Sequence, residues 1–341
     1  MPQRRILKTG ALTLLGIVIF GAGMYTGIET LGDISEKKCR DRFTFINADV
    51  VCEDQEAYIS KAPYLGLQSE IHTYIEQKKM QGAITEASVY FRDLRNGPVF
   101  GVDENARFIP ASLLKVPLAL VLLREEDEHG RILERQLQFS DDIRLKFESG
   151  ENTSPTTLVR AFKSHADLTP NTPYTIEELS QRMISYSDNL AYSVLVTHVF
   201  ESLGGETYLR EAFEGLGIVD PTFADDMLSV RTYASLFRLL YHTSYLSPES
   251  SEKMLQWLSE SDFDAGIVAG IPAGVRVAHK YGERQLTDRM QLHDCGIVYF
   301  HEHNPYLLCV MTKGHDMNNL ATCIADISRM VYNEVNSRHL Y

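Results

Sequence analysis

The chain has 341 residues, with 33 Lys and Arg against 46 Asp and Glu, and a formal net charge of −13 at neutral pH. Its 44% apolar content gives it the means to bury a large core. The acidic balance, spread without long single-sign runs, excludes general nucleic-acid binding, and no internal repeat or low-complexity tract is present.

The first element is "TGALTLLGIVIFGAGMYTGI", Thr9 to Ile28. About 20 uncharged residues suffice to span a bilayer as a helix. Arg4, Arg5 and Lys8 precede the stretch, and Glu29 and Asp33 follow it. This asymmetry predicts a single-pass anchor over 9–28, with residues 1–8 in the cytoplasm and the remainder outside the cell membrane. A cleaved signal peptide is the alternative. It calls for a shorter apolar core and a small-x-small cleavage site, of which Gly21-Ala22-Gly23 is a poor version. Gly23 and Gly27 have the spacing of a helix-dimer face, a route to dimerisation through the anchor.

Residues 29–65 read as a charged juxtamembrane linker. Cys39 and Cys52 flank a short loop there, in a setting where oxidation can join them. Cys295, Cys309 and Cys323 sit in apolar contexts and read as small buried hydrophobes. No Cys-x-x-Cys pattern occurs.

The main domain is expected over 66–341. It opens with an amphipathic helix, "LQSEIHTYIEQKKM". "EASVYFRDLRNGPVFGV" follows as a hairpin about Asn96-Gly97, a two-residue turn signal. A long apolar helix is predicted from Ser112 to its stop at Gly130, with Pro117 in its first turns. Thr175 and Glu178 form a capping box before "IEELSQRMIS". Further helices are predicted in "NLAYSVLVTHVFESLGG", "SVRTYASLFRLLYHT" and "SPESSEKMLQWLSES", the last with Trp257 as packing. Three β-rich runs come next, "GVRVAHKYG", "HDCGIVYF" and "YLLCVMTKG", the second beginning at His293 and Asp294. A helix, "NLATCIADISRMVYNEVNS", closes the order. Strands at both ends and helices between them predict an α+β fold: one antiparallel sheet built from both chain ends, plus an all-helical lobe.

A serine hydroxyl needs a neighbouring base to act as a nucleophile. Lys115 falls one helical turn beyond Ser112, on the same face. A lysine among apolar neighbours loses its charge readily, because desolvation disfavours the cation. Ser-x-x-Lys alone is weak evidence: Ser35 and Lys38 repeat it beside the apolar span. Two further motifs strengthen it. Ser187-Asp188-Asn189 lies between two predicted helices, and Lys280-Tyr281-Gly282 lies on a predicted strand. The literal Lys8-Thr9-Gly10 abuts the apolar span and is a decoy.

Ser-x-x-Lys, Ser-Asp-Asn and Lys-x-Gly in this order resemble class A β-lactamases and penicillin-binding proteins. The resemblance covers about residues 66 to 338. It implies a β-lactamase/transpeptidase-like fold and an acyl-enzyme mechanism on β-lactams or D-alanyl cell-wall peptides. Ser112 would attack the carbonyl, Lys115 would take its proton and Ser187 would relay a proton to the leaving nitrogen. Asn189 would bind the substrate amide, and Lys280 would attract a substrate carboxylate. Gly282 completes the strand motif, and the backbone N–H groups of Ser112 and Glu283 would hold the oxyanion. Asp188 would hold the turn between helices.

Two departures from the resemblance stand out. Tyr281 replaces the small hydroxyl residue usual in the middle of the third motif. The long loop with Glu-x-x-Leu-Asn, whose glutamate activates the deacylating water, is replaced by the shorter "EGLGIVDPTFADDMLSVRTY". Asp225 and Asp226 are the carboxylates near this remnant and read as exposed turn residues.

His301-Glu302-His303 falls where two strands should turn and reads as a solvated hairpin tip rather than a metal site. His279 reads as a strand residue on the face opposite Lys280. No metal or organic cofactor is implied. The alternative function is a non-catalytic wall-binding or scaffold domain on the same fold.

Overall fold

The computed structural model describes residues 43–46, 64–94, 97–139, 167–218, 228–300 and 304–339. The chain divides into two units, Met1–Gln55 and Glu56–Tyr341. All the described helices and strands belong to the second. The span Thr9–Ile28, with its dimer face, the Cys39 and Cys52 pair, Asn96, Asp225, Asp226 and His301 to His303 lie outside the described residues. Among the described residues no helix is long and apolar enough to cross a membrane.

Helix α1 (Leu65–Met80) leads into the strands β1 (Glu86–Asp93) and β2 (Val99–Val102). A 3-10 turn, Ala111–Leu114, then runs into helix α2 (Lys115–His129). The short strands β3 (Gln136–Leu137) and β4 (Tyr174–Thr175) pair with each other. The helical lobe continues with α3 (Ile176–Ser185), α4 (Asn189–Ser202), α5 (Gly205–Gly215), α6 (Val230–Tyr241) and α7 (Pro248–Ser259). The strands β5 (Arg276–Gln285), β6 (Met290–Tyr299) and β7 (Tyr306–Gly314) precede the last helix, α8 (Met317–His339).

The main sheet is antiparallel, in the order β2-β1-β7-β6-β5. Strand β7 pairs with β1 from Glu86–Lys313 to Asp93–Tyr306, so both chain ends build one sheet, as the strand order in the sequence predicts. Strand β7 is buried at every position because helices cover both faces of the sheet. Helices α1 and α8 pack on one face, and α6 packs on the other. Strand β5, at the edge, faces the 3-10 turn that carries Ser112.

Helix α2 is buried on all sides from Lys115 to Leu123, which makes it the axis of the helical lobe. Pro117 is accommodated because the first turn of a helix has no intrahelical acceptor for its N–H. The capping box at Thr175 and Glu178 forms as predicted, and Trp257 is buried.

Several expectations are corrected. The helix expected from Ser112 starts at Lys115, and Ser112 sits in the 3-10 turn before it. The expected run through Gly204 and Gly205 stops at Ser202. Gly204 (φ 109°) and Gly205 (φ 73°) take backbone conformations that break the helix, and α5 starts anew. Helix α5 itself was not anticipated. Strand β6 begins at Met290, so His293 and Asp294 lie inside it rather than at its start. Cys295 and Cys309 are buried, as expected, but they also face each other across β6 and β7 as a disulfide. Only Cys323 is free among the described cysteines.

Candidate active site

The three sequence motifs meet between the sheet edge and the helical lobe. Lys115, the first residue of α2, is buried. Its Nζ donates to Asn189 Oδ1 at 2.6 Å, to the Ser187 carbonyl at 2.6 Å and to Ser187 Oγ at 3.1 Å. Burial drives its pKa well below the ordinary lysine value, and the nearby Lys280 charge adds to the drop. Asp188 and Glu283 oppose the shift without cancelling it. The three donations belong to the ammonium; the lowered pKa means that one proton is readily given up, leaving a neutral amine whose lone pair can accept a proton.

Ser112 is half-buried, three residues before Lys115. Among the described residues no hydrogen bond joins its hydroxyl to Lys115. The turn that carries it is clamped from three sides. The Ile109 N–H donates to Gln291 Oε1 at 3.0 Å, and His293 Nε2 lies 2.9 Å from the Ile109 carbonyl. Tyr233 Oη donates to the Leu113 carbonyl at 3.1 Å. Ala111, immediately before Ser112, has φ 49°, and Ser187 has φ 54°. The left-handed region costs an L-residue about 1–3 kcal/mol and persists where surrounding contacts hold it. Of the described non-glycine residues with positive φ, one is thus Ser187 itself and another directly precedes Ser112.

Asp188 caps α4, accepting from the N–H groups of Leu190 at 2.9 Å and Ala191 at 3.0 Å. It also pairs with Arg182, at 3.0 Å to Nε and 2.9 Å to Nη2. The structural role read from the sequence holds, and this cap sets Asn189 at the first turn of α4, facing Lys115.

On β5, Lys280 and Gly282 share one face and Tyr281 and Glu283 the other. Gly282 is needed for close approach. A Cβ there would lie 2.8 Å from the Pro110 carbonyl oxygen and 3.0 Å from Leu113 Cγ. Lys280 is fully buried, and burial lowers its pKa to about 7 against the pull of Asp262, Asp294 and Glu283. Its Nζ makes no hydrogen bond among the described residues and lies 4.5 Å from the Tyr281 ring centroid. Tyr281 stacks on Phe263 at 4.2 Å. Burial raises the Tyr281 pKa, so the phenol stays protonated.

His279 bonds Asp294 at 2.8 Å on the opposite face from Lys280, both residues being buried. Asp294 Oδ2 also accepts from the Ile267 N–H at 2.8 Å, which ties β5 and β6 to the segment after α7. The structure thus brings together Ser112, Lys115, Ser187, Asn189, Lys280, Gly282 and Glu283. Sequence reasoning missed the clamp residues Gln291, His293 and Tyr233. Nothing local marks them, because each acts on a segment more than a hundred residues away.

Comparison with known proteins places this arrangement. Two curated relatives are an extended-spectrum β-lactamase of Pseudomonas aeruginosa, PER-1, and a β-lactamase of Bacillus licheniformis. The first is 24% identical over 61% of this chain and 68% of its own length. The second is 26% identical over 61% of this chain and 64% of its own, so the chain spans under two thirds of that relative. Among solved structures, PBP-A aligns with a TM-score of 0.64 at 24% identity, covering 81% of this chain and 98% of its own. A β-lactamase from Chitinophaga pinensis aligns with a TM-score of 0.63 at 20% identity, over 78% of this chain and 100% of its own. These likenesses establish the β-lactamase/transpeptidase-like fold. The family model described as "Beta-lactamase enzyme family" matches residues 66–335, and with most of its length inside that match the chain belongs to the beta-lactamase enzyme family.

Proposed function

We propose that the protein is a serine hydrolase that forms an acyl-enzyme on Ser112. The observation that carries this reading is the buried, readily neutral Lys115 amine, held by Ser187 and Asn189 beside the Ser112 turn. Ser112 Oγ attacks an amide or β-lactam carbonyl, and the new O–C bond forms as the hydroxyl proton passes to Lys115 Nζ. The C–N bond then breaks, and the proton reaches the leaving nitrogen through Ser187. The N–H groups of Ser112 and Glu283 hold the oxyanion, where fixed donors stabilise charge without reorganising. Asn189 orients the acyl side chain. Water finally hydrolyses the ester. β-Lactams, the class that the relatives' names indicate, and the cell-wall peptide amides that the motif resemblance implies are the substrates that follow from this chemistry. No metal ion enters it.

The intact Ser-Lys-Ser-Asn set favours catalysis over a non-catalytic scaffold. The site is proposed to work outside the membrane, on the strength of the charge asymmetry around residues 9–28. The test is labelling with a fluorophosphonate, which carries no carboxylate, followed by mass mapping. An adduct on Ser112 that is absent from Ser112→Ala is expected. An adduct elsewhere, or none, would overturn the reading.

A further inference from the structure

Ile109 stands three residues before Ser112, and side chains of β6 take both of its backbone polar groups. Its N–H donates to Gln291 Oε1 at 3.0 Å, and its carbonyl lies 2.9 Å from His293 Nε2. Gln291 and His293 are two positions apart and share one face of the strand. Leu292, between them, points into the core beneath α1 and α8, so the pair faces the helical lobe. Both are completely buried. The other ring nitrogen settles the tautomer of His293. The Thr312 N–H can only donate, and it lies 3.4 Å from His293 Nδ1. Nδ1 is therefore unprotonated, and Nε2 carries the proton that is given to the Ile109 carbonyl. The His293 ring meets Phe108 edge to face at 5.4 Å. Lys313 Nζ lies 4.5 Å from the same Phe108 ring and donates to the Arg107 carbonyl. Strand β6 is itself paired on both sides, with β5 and with β7, which fixes where these two side chains end.

We propose that Gln291 and His293 are positioning residues for Ser112: by holding Ile109 they set the place of the Ala111–Leu114 turn, whose Ser112 hydroxyl attacks and whose Ser112 N–H receives the oxyanion. The proposal rests on Ser112 being the nucleophile and adds where its placement comes from. The turn needs an outside hold. Its 3-10 hydrogen bonds have poorer geometry than those of an α-helix. Ala111 sits at φ 49°, a conformation that an L-residue keeps only where its surroundings over-determine it. Attack on a carbonyl tolerates little displacement, and an error of about 1 Å can cost about 10²-fold in rate. Loss of the His293 donor frees the Ile109 carbonyl and loosens the turn, while the backbone pairing of β6 stays intact. A purely structural role for the pair would lower stability and leave the bond-forming step alone.

The test is saturation kinetics of fluorophosphonate labelling of the full chain, which separates affinity for the probe from the rate constant of bond formation. His293→Leu removes the donor. Its rate constant is expected to fall about tenfold or more, with the half-saturating concentration unchanged. His293→Gln offers an amide N–H near the place of Nε2 and should recover most of that loss. Gln291→Leu removes the acceptor and should act in the same direction as His293→Leu. Ile71→Val, in the core beneath α1 on the other face of the sheet, is the control: it lowers stability and should leave the rate constant as it is. If His293→Leu does not fold, Gln291→Leu decides by the same split. Unchanged rate constants in the Leu variants, a fall matched by Ile71→Val, or a loss in His293→Leu that His293→Gln does not recover would overturn the proposal. Absence of Ser112 labelling in the unaltered chain would instead remove the parent reading, and this one with it.

Discussion

The Lys115 amine lies 2.6 Å from Asn189 Oδ1, across 74 positions of sequence. Each residue opens a helix, Lys115 that of α2 and Asn189 that of α4. Helix N-termini carry partial positive charge, which disfavours a second cation placed there. The amide oxygen fixes where the amine points, and burial together with the helix ends lightens its charge. A base is thereby made from a residue that is normally an acid at neutral pH.

The rate of Ser112 modification should therefore follow the neutral form of Lys115. An unperturbed lysine would keep the rate rising until pH ~10. With the pKa lowered by burial, the fluorophosphonate rate should fall on the acid side and level off far below pH 10. Lys115→Arg, always charged, should lower the plateau by about 10²–10⁴-fold. A profile still climbing at pH 10 would refute this account of the base.

Stability should carry the same signature with its own sign. Lys280 has a pKa of about 7 folded against 10.5 as the free side chain. Between these values the unfolded chain binds more protons, so stability rises with pH across that window. The favourable contribution is complete above the unfolded value and is lost as pH falls through about 7. Above pH ~10 the trend reverses, because buried Tyr233, Tyr281 and Tyr306 have raised pKa values and hold protons that the unfolded chain releases. Denaturant midpoints from pH 6 to 11 should show a maximum near 10. Lys280→Met should flatten the rising limb, and an unchanged limb would refute the assignment.

Asp188 offers a test of the scaffold. Asp188→Ala removes the cap of α4 and one partner of the Arg182 pair, and leaves the N–H groups of Leu190 and Ala191 without their acceptor. A cap is worth about 1 kcal/mol, and the partly buried ion pair adds less than about 1 kcal/mol. A loss of about 1–2 kcal/mol in unfolding free energy is expected, with slower Ser112 labelling because Asn189 loses its position. Asp188→Asn, which keeps the cap, should recover most of the stability.

The fold was readable from patterns that survive one sequence: β-branched and aromatic runs at both ends, the capping box at Thr175 and Glu178, and the Gly130 stop. The motifs were legible because each is short and continuous in sequence, and the first two straddle the start of a helix. The disulfide between Cys295 and Cys309 was not, since it depends on the register of β6 against β7. Nor was the 3-10 turn at Ser112. "PASLLK" has helical spacing, and what withholds the α-helix until Lys115 is tertiary, the hold of Gln291, His293 and Tyr233 on residues 109 and 113.

Gly282→Ala tests the contact between β5 and that turn. The added methyl would sit 2.8 Å from the Pro110 oxygen and 3.2 Å from the Leu113 nitrogen, both backbone atoms. Overpacking of this kind costs about 1–3 kcal/mol. Because the turn carries Ser112, the labelling rate should fall further than the stability loss explains. A variant with normal labelling would show that the turn moves freely.

Turnover separates the two halves of the reaction. In the proposed reaction, acylation draws on Ser112 and Lys115. Hydrolysis of the ester also needs a base for water, and the shortened loop has lost the glutamate expected from the resemblance. General-base help is worth about 10²–10⁴-fold. A burst equal to the enzyme concentration, followed by slow release, is therefore expected with a chromogenic cephalosporin in stopped flow. The candidate substitutes are Asp225 and Asp226 in the loop remnant, and Glu283, whose carboxylate bears on the Lys115 charge. Double replacement of the aspartates by Asn should leave the slow phase unchanged. If Glu283→Gln slows it further, the carboxylate beside the oxyanion donor supplies the residual base. Sustained fast turnover in the wild-type chain, surviving all three replacements, would mean that Lys115 itself serves both steps, and the lost loop would not limit the rate.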